Sequence, residues 1–366
     1  MSKYYHSIGF MSGTSLDGID VSIIKSDGEN FVKIIDNHYI NYNNKLRSKL
    51  AKIVDECTSE VKYKYLSKSI RQVEKEITIL HAKLFDLITK KNSAIKIDIV
   101  GFHGQTILHN PKKGYSFQIG DSKLLSKITK TKVVSNFREN DIFNGGQGAP
   151  LTPLYHKLIL LKIKSKFPAA IINIGGITNI TYLKNKNQLI SFDTGPGNYL
   201  LDKWVKIKTG KNFDNKGLFS TSGKVNNKIL GKYLNSPYYK KKVPKSLDVK
   251  DFNLKYLGKL NFIDGCATLS MVTIKSIILG INKLGKIPSL ILVSGGGRKN
   301  KFIIINLKKL LNTSVHTIEK YNFNGDFIES QAFAYLAIRS YLKKIITFPS
   351  TTGVSKPSLG GKLFGG

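Results

Sequence analysis

The segment GFMSGTSLDGIDVSII, residues 9–24, is an apolar run that breaks at a turn of small polar residues and then resumes with β-branched residues. The apolar residues on both sides predict two β-strands, 4–12 and 19–25, joined as a hairpin. The turn favours two interpretations. It could be a phosphate cradle of main-chain N–H groups, with a cation between the phosphate and the carboxylates of Asp17 and Asp20. It could also be a polar hairpin in which Asp is a turn former.

A second segment, IINIGGITNITYL at residues 171–183, has the same order of strand, glycine turn and strand. Alternating strands and helices follow each hairpin, which predicts an α/β protein. We therefore expect two similar α/β domains, each with a mixed sheet and a Gly-rich phosphate hairpin, facing each other across a cleft. The Gly- and Pro-rich stretch 138–153 is typical of a connection between halves. The predicted domains are 1–135 plus about 347–366, and 136–346.

The composition is that of a folded protein with a strongly basic surface. The 366 residues are 41% hydrophobic, and 58 Lys and Arg against 24 Asp and Glu give a net charge of +34. The basic residues are mostly Lys, spread along the chain, which is typical of a compositional bias. An anionic partner or a nucleic acid is the alternative, but zinc-finger, RNP and basic-zipper patterns are absent from the sequence.

Neither a membrane segment nor a metal cage is expected from the sequence. We find no apolar run that approaches the roughly 18 residues needed to span a bilayer, and no signal peptide. Cys57 and Cys266 are far apart and match no metal or redox spacing. We therefore expect a cytoplasmic protein with no membrane partner.

Two further strand ends carry candidate chemistry. Asp193 leaves a buried strand into the loop TGPGN, where it is either a general base or a helix cap. The loop Ser294 to Gly297 ends a strand and opens a helix, a position suited either to contact with a nucleotide or to a structural turn.

Polar residues in three other segments are candidates for ligand contacts. His103 and Gln105 lie at a predicted strand end, and Arg138 and Gln147 lie in the Gly-rich loop. Arg is the usual geometric match for a carboxylate. Glu329 begins a predicted helix, where the helix dipole alone also explains an acidic residue.

Together these segments resemble one family, the 1,6-anhydro-N-acetylmuramic acid kinases of the sugar kinase/Hsp70/actin superfamily. The matching segments occur in the family's order along nearly the whole chain, and they are GFMSGTSLDGID, GFHGQTILH, FQIGD, NGGQGAPLTPLYH, INIGGITNIT, FDTGPGN, DGCATLS, VSGGGRKN, GDFIESQAFAYLAIR and TTGVSKPSLGG. Residues 209–260 carry no usable resemblance. Two departures are Ser330, where Ala is usual, and RENDIFN, where the family has a more Ala-rich loop.

The resemblance implies an actin-like ATPase fold with ATP in the cleft, and it implies roles for individual residues. Asp193 corresponds to the catalytic aspartate. The implied ATP-binding residues are Gly13, Thr14, Ser15, Leu16, Asp17, Gly18, Ile19, Asp20, Gly175, Gly176, Gly295, Gly296 and Gly297. The residues in segments associated with the sugar site are His103, Gln105, Arg138, Gln147 and Glu329. Mg²⁺ would be bound by Asp17, Asp20 or both, directly or through water.

The activity implied by the resemblance couples hydrolysis to phosphoryl transfer. Asp193 would take a proton from the water that attacks the anomeric carbon, and the released O6 would attack the γ-phosphoryl group of ATP. The products would be N-acetylmuramic acid 6-phosphate and ADP, in peptidoglycan recycling and amino-sugar catabolism. A homodimer is also implied. The alternatives are a kinase for an ordinary hexose or amino sugar, a catalytically silent nucleotide-binding regulator, and a nucleic-acid-binding protein.

Overall fold

A computed structural model describes residues 3–13, 15–247 and 251–365 of the chain. The strands are β1 (Tyr5–Ser12), β2 (Gly18–Ser26), β3 (Val32–Asn41), β4 (Ile99–Asn110), β5 (Tyr115–Ile119), β6 (Lys132–Ser135), β7 (Ala169–Ile174), β8 (Ile177–Leu183), β9 (Leu189–Pro196), β10 (Leu290–Ser294), β11 (Ser314–Thr317) and β12 (Lys362–Phe364). The α-helices are α1 (Asn44–Glu56), α2 (Glu60–Tyr65), α3 (Ser67–Lys91), α4 (Ser122–Thr129), α5 (Glu139–Phe143), α6 (Pro153–Lys162), α7 (Tyr199–Thr209), α8 (Leu218–Ser222), α9 (Asn227–Leu234), α10 (Phe262–Ile281), α11 (Lys301–Leu310), α12 (Ile328–Tyr341) and α13 (Pro349–Thr352). Short 3₁₀ helices occupy Pro111–Lys113, Asn215–Gly217, Pro237–Lys240, Asn282–Leu284, Gly296–Lys299 and Ile318–Tyr321.

The strands form two mixed sheets that share one topology. The first has the order β12-β6-β4-β1-β2-β3, with β5 paired to β4, and the second has the order β11-β10-β7-β8-β9. In the first, β1, β2 and β3 are antiparallel while β4 and β6 run parallel to β1; in the second, β7 to β9 and β10 to β11 repeat this pattern. The predicted α/β class, with a mixed sheet and a glycine hairpin in each half, is confirmed. This repeated order is the topology expected of an actin-like fold.

The chain divides into two compact units. The first comprises Met1–Leu158 with Glu329–Gly366, and the second comprises Ile159–Ile328. The junctions therefore lie within α6 and at the start of α12, whereas the prediction put them at 135/136 and about 346/347. The difference has a physical cause, because α5 is bonded to the C-terminal segment through Asp141, whose Oδ1 accepts a hydrogen bond from Thr352.

One face of the first sheet forms the main core of its unit. Alternate residues of β2 (Ile19, Val21 and Ile23) point into this core, where helices α1 and α3 contribute Leu50 and Ile77. All five side chains are fully buried. Burying a large aliphatic side chain stabilises a fold by roughly 1.5–3 kcal/mol, so this alternation fixes the register of the hairpin.

Helix α12 packs against the opposite face, and two glycines allow its close approach. Gly9 of β1 and Gly101 of β4 are register partners. A Cβ on Gly9 would lie 2.0 Å from the Ser330 carbonyl oxygen, and one on Gly101 would lie 2.2 Å from the Phe333 carbonyl oxygen. Any side chain at either position would push the helix away from the sheet, and with it the residues at its N-terminus.

The second unit has a core along β7–β10 and a separate helical cluster around Trp204. Helix α10 contributes to both. The segment Phe262–Leu284 is long and apolar enough to span a membrane, with a mean hydropathy of 1.6, so the expectation that no segment has this length and composition was wrong. However, 61% of its apolar window is buried within the protein, and a core helix passes the same test.

Several local predictions need correction. The stretch 138–153 is not all loop, because it contains α5. The polar sequence of 209–260 indicates irregular structure, but its described residues include α8, α9 and the 3₁₀ helices Asn215–Gly217 and Pro237–Lys240, and Leu230 and Tyr233 of α9 are buried in the Trp204 cluster. Residues 95–104 predict a strand that ends at Gly104, but β4 continues past Gly104, which adopts a φ of +72°, to Asn110 in pairing with β5.

Candidate active site

The turn between β1 and β2, residues 13–17, is closed by main-chain hydrogen bonds. The Leu16 N–H donates to the Gly13 carbonyl at 3.3 Å, and the Tyr42 N–H donates to the Asp17 carbonyl at 2.9 Å. Leu16 has a φ of 55°, a left-handed conformation that costs an L-residue roughly 1–2 kcal/mol. Its side chain is buried in the core of the first unit, which offsets that cost. Thr14 lies outside the described residues.

Side chains from β4 and α3 contact this turn and the residue before it. The fully buried Gln105 donates from Nε2 to the Gly13 carbonyl at 3.0 Å. His81 Nδ1 contacts the Ile77 carbonyl at 2.7 Å, which makes Nδ1 the protonated nitrogen and leaves Nε2 to face the Ser12 hydroxyl at 3.4 Å. Burial lowers the pKa of His81 to about 4, so the ring is neutral at physiological pH. Gln105, predicted as a sugar contact, is thus directed at the β1–β2 turn.

The two carboxylates of the hairpin have different surroundings. Asp17 is exposed, and its Oδ1 forms an ion pair with the Arg47 guanidinium at 2.6 Å. Asp20 is partly buried within β2, between Met11 and Tyr39 in the pairing register, on the face opposite the core residues Ile19 and Val21. That is the face on which α12 packs. No cluster of three or more metal-ligating residues occurs among the described residues, and Mg²⁺ usually needs only one or two carboxylates plus phosphates and water.

The turn between β7 and β8, at Gly175 and Gly176, is held by main-chain groups. The Gly197 N–H donates to the Gly176 carbonyl at 2.9 Å, and the Asn198 N–H donates to the Gly175 carbonyl at 2.8 Å. Gly197 fits only because it lacks a side chain, since a Cβ there would lie 2.2 Å from the Gly175 carbonyl oxygen. The predicted loop after Asp193 therefore supports the second turn directly.

Asp193 is 7% exposed near the end of β9, and a segment from outside the sheet contacts it on three atoms. Its Oδ2 accepts from the Leu247 N–H at 2.9 Å. Its N–H donates to the Lys245 carbonyl at 2.9 Å, and its carbonyl accepts from the Tyr238 hydroxyl at 2.5 Å. The carboxylate is therefore held in a fixed direction, as a general base requires.

The loop Gly295 to Gly297 lies beside the second turn. A Cβ on Gly295 would lie 2.4 Å from Asn173 Oδ1, and one on Gly297 would lie 2.2 Å from Ile174 Cγ2, whereas Gly296 is exposed, with Asn198 Nδ2 at 3.7 Å. Two tightly packed glycines thus flank one exposed glycine in this loop.

Arg298 anchors this loop from behind. The buried guanidinium donates to the Gly295 carbonyl at 2.9 Å, to Glu319 at 2.6 Å and to Asp326 at 2.9 Å. Both acids are partly exposed, and although partial desolvation acts to raise the pKa of each, hydrogen bonds and the Arg298 charge lower the pKa of Glu319 and of Asp326. Sequence reasoning missed Arg298, although an arginine directly after three glycines is a usable signal.

His103 and Arg138, both predicted to contact sugar, contact each other. Arg138 donates from Nε at 3.2 Å and from Nη2 at 2.9 Å to His103 Nε2, and from Nη1 to the Gly148 carbonyl at 2.5 Å. His103 Nδ1 contacts the Gly104 carbonyl at 2.8 Å. Burial and the Arg138 charge hold the pKa of His103 well below its usual range, which keeps Nε2 a hydrogen-bond acceptor. His103 therefore orients the guanidinium.

Gln147 and Glu329, the other predicted sugar contacts, lie in segments with separate supports. The Gln147 N–H donates to the Thr352 carbonyl at 2.9 Å. Asp141, in the RENDIFN segment, accepts from the Gly148 N–H at 2.6 Å and so shapes the same loop. Glu329 is partly buried in the first turn of α12, and the neighbouring Ser330 hydroxyl bonds Ser22 at 2.7 Å.

The predicted residues therefore fall into two groups. In the first unit, Gln105 contacts the Gly13–Asp20 hairpin. His103, Arg138 and the loop that contains Gln147 form a second cluster in the same unit. The second unit brings together Gly175, Gly176 and the Gly295–Gly297 loop, with Asp193 on β9. Sequence reasoning missed Tyr238, Lys245, Asp141 and Arg298; the first two lie in the stretch that carries no resemblance.

Comparison with known proteins identifies the family. The family described as anhydro-N-acetylmuramic acid kinase matches residues 4–366. A protein of that name from Pelagibacter ubique (strain HTCC1062) is 46% identical over 372 residues, covering 99% of each chain. Another, from Zymomonas mobilis subsp. mobilis, is 38% identical and covers 98% of this chain and 99% of its own.

A similarity to solved structures is more distant. Component A of the (R)-2-hydroxyglutaryl-CoA dehydratase from Acidaminococcus fermentans is 13% identical, with a TM-score of 0.46, over 92% of this chain and 99% of its own. Family membership rests on the full-length sequence matches. The chain belongs to the anhydro-N-acetylmuramic acid kinase family.

Proposed function

We propose that this chain is an ATP-dependent kinase that opens 1,6-anhydro-N-acetylmuramic acid and phosphorylates O6, giving N-acetylmuramic acid 6-phosphate and ADP in peptidoglycan recycling. Family membership indicates the activity. The structural observation that carries the proposal is the pair of glycine turns at equivalent positions of two sheets, the second of them supported by the loop that leaves Asp193.

The two turns have the properties of phosphate-binding turns. A Cβ on Gly13 would meet only Ser15 Oγ at 3.7 Å, and one on Gly175 would meet only the Ile177 carbonyl at 3.5 Å, so both distances are ordinary contacts. Neither glycine has a positive φ. The protein itself therefore does not demand glycine at either position, whereas a phosphate approaching the main chain closely would. In our proposal each of the two turns binds ATP phosphates, with Gly296 on the adenosine side.

Asp193 acts as the general base in this proposal. Its carboxylate takes a proton from a water molecule as the water oxygen bonds to the anomeric carbon, and the bond from that carbon to O6 breaks. The electron pair of that bond remains on O6, which attacks the γ-phosphoryl group as the bond to ADP breaks. Phosphoryl transfer of this kind depends mainly on positioning and on stabilisation of charge, which the N–H groups of the turns supply.

Arg138 is our candidate for the carboxylate of the muramic acid lactyl group. A guanidinium recognises a carboxylate by paired hydrogen bonds, and His103 and Gly148 fix its plane. In our proposal Gln147 and Glu329 contact the sugar hydroxyl and amide groups. Gln105 supports the phosphate turn and acts on the sugar only indirectly.

Magnesium would be bound near the first hairpin together with the ATP phosphates. Asp20 fits this role because it is partly buried and lies on the α12 face of β2. A bound Mg²⁺ would neutralise negative charge on the phosphates.

The decisive experiment is Asp193→Asn assayed for ADP release with 1,6-anhydro-N-acetylmuramic acid. Loss of a general base is worth roughly 10²–10⁴-fold in rate, so we expect kcat to fall by about 10³-fold with ATP affinity retained by calorimetry. Asp214→Asn is the matched control, because Asp214 is equally buried and also accepts main-chain N–H groups, from Phe219 and Ser220. Near-normal turnover of the Asp193 variant would overturn the proposal.

Two wider properties are proposed from the family resemblance. The enzyme is a homodimer, which sedimentation velocity tests directly. It acts in the cytoplasm, where its nucleotide is available, and cell fractionation tests that location.

A further inference from the structure

Asp193 lies on the edge strand β9, and the segment Pro237–Leu247 covers that edge. Strand β9 is the last strand in the order β11-β10-β7-β8-β9. An edge residue normally leaves its outward N–H and C=O groups to water. Here the Asp193 N–H donates to the Lys245 carbonyl, and the Asp193 carbonyl accepts from the Tyr238 hydroxyl. We call this segment the Asp193 brace.

Lys245 joins the two ends of the brace through its contact with Tyr238. The buried Lys245 ammonium donates to the Tyr238 carbonyl at 2.9 Å and lies 3.9 Å from the centre of the Tyr238 ring. A cation over an aromatic face is stabilising, more so away from water. Tyr238, Asp193 and Lys245 therefore form a ring of three hydrogen bonds.

The local backbone also directs the Asp193 side chain. The pairing of β8 with β9 shifts register between Thr178 and Asn179, because Thr178 pairs with Gly195 and Asn179 with Asp193. One extra residue, Thr194, is thus accommodated directly after Asp193. Such bulges re-aim side chains next to active sites, and the Leu247 N–H then receives Asp193 Oδ2 at 2.9 Å.

We propose that Tyr238 and Lys245 are positioning residues, which hold the Asp193 main chain so that its carboxylate stays aligned for proton abstraction. This rests on the proposed function, in which Asp193 is the base. The effect is expected to be large because misplacing a reacting group by about 1 Å costs on the order of 10²-fold in rate.

The protonation states suit this role. Burial and the nearby Asp193 raise the pKa of Tyr238, so its hydroxyl remains a donor at all physiological pH values. Burial, together with Lys283 and Lys241, lowers the pKa of Lys245 to about 8, while Asp193 opposes that shift. Lys245 is therefore mostly charged at neutral pH.

Tyr239 provides a matched control within the brace. Like Tyr238 it is buried, and its hydroxyl bonds the Ser276 hydroxyl at 2.6 Å. Tyr238→Phe and Tyr239→Phe thus each remove one buried hydroxyl, but only the first removes a bond to Asp193.

The test compares the kcat, the two KM values and the pH profile of these variants. We expect Tyr238→Phe to lower kcat about tenfold, with KM for ATP and sugar unchanged. Its acidic limb should move to higher pH, because a loosened Leu247 N–H stabilises the carboxylate less. Tyr239→Phe should stay within about twofold of the parent, with an unmoved limb. Lys245→Met should also lower kcat and move the acidic limb to higher pH, and it serves as the second variant if Tyr238→Phe fails to fold.

A double-mutant cycle separates this proposal from the proposed function. If Tyr238 acts through Asp193, adding Tyr238→Phe to Asp193→Asn causes no further loss of kcat. If Asp193→Asn is inactive but Tyr238→Phe and Lys245→Met behave like Tyr239→Phe, the positioning role is overturned and the function stands. If Asp193→Asn itself turns over normally, the proposed function fails, and the positioning role falls with it.

Discussion

The two glycine turns occupy equivalent positions in their sheets but are held in different ways. The β1–β2 turn is supported by side chains, chiefly Gln105 on the Gly13 carbonyl, with Ser12 below it facing His81. The β7–β8 turn is supported by main-chain N–H groups of Gly197 and Asn198. The main-chain hydrogen bonds of the second turn do not titrate, and they are disrupted when a side chain is added at Gly197. The side-chain hydrogen bonds of the first turn can each be removed by a single substitution. The turns should therefore fail in different ways.

The largest effect should come from Gly197→Ala, which attacks the main-chain support. The added Cβ would lie 2.2 Å from the Gly175 carbonyl oxygen and 2.9 Å from Thr178 Oγ1, so the second turn must move. Displacement of a phosphate-binding group costs on the order of 10²-fold, and we expect kcat/KM for ATP to fall by about that much. Gly231→Ala in α9, where a Cβ meets nothing within 4 Å, is the control and should be fully active. Equal activity of the two variants would contradict our account of the second turn.

Acid should weaken the first turn and leave the second unaffected. His81 is held neutral, with its pKa lowered by burial to about 4. The unfolded chain binds more protons than the folded one between that pH and about 6.5, so this stabilisation is complete above about 6.5 and is lost as the pH falls toward 4. For His81 alone the loss at pH 5 is about 2 kcal/mol.

Urea unfolding at pH 7 and pH 5 measures this loss. His81→Gln, which has no titratable ring, should show a smaller pH dependence of the free energy of unfolding than the parent, by about the same 2 kcal/mol. Other buried histidines, such as His103, affect both proteins equally. An identical pH dependence in the two proteins would show that His81 does not titrate as its burial requires.

A smaller effect should distinguish ligand-facing glycines from structural ones. Gly13→Ala and Gly175→Ala introduce a Cβ at ordinary contact distances, and the loss of chain freedom in the unfolded state should offset any strain to within about 1 kcal/mol. If phosphates approach both turns, the affinity for a non-hydrolysable ATP analogue should fall about tenfold in each variant. Thermal melts test the expected stability, and calorimetry tests the expected loss of affinity for the ATP analogue. Unchanged affinity in both variants would remove these turns from the nucleotide site.

The sequence was sufficient to predict those features of the fold and the candidate site that depend on short segments. The hairpins were predictable because Ile19, Val21 and Ile23 alternate with polar or small residues, and a one-residue slip would expose all three. The glycine turns and Asp193 were likewise visible as breaks at strand ends. The α1 helix was overlooked because its apolar positions, Leu46, Leu50 and Ile53, are few among lysines.

The supports of the site could not be predicted, because they depend on contacts between distant residues. Leu247 donates to a carboxylate 54 positions earlier in the chain, and Gln105 reaches Gly13 across 92 positions. Neither contact leaves a periodic pattern. The sequence of the brace indicates irregular structure. The role of its short 3₁₀ helix and its aromatic residues follows only from the position of β9 at the edge of the sheet.

The smallest predicted effect concerns the two carboxylates of the first hairpin, Asp17 in the turn and Asp20 in β2. The Asp17–Arg47 pair is exposed, and such pairs contribute about 0–1 kcal/mol. Asp17→Asn should therefore change stability by no more than about 0.5 kcal/mol and leave the Mg²⁺ dependence of ADP release within about twofold of the parent. Asp20→Asn, on the face where α12 packs, should require more Mg²⁺ for half-maximal rate, because a carboxylate close to the phosphates would be lost. If Asp17→Asn raised the Mg²⁺ requirement more than Asp20→Asn did, the ion pair with Arg47 would have to open during turnover, and the first turn would be a mobile element.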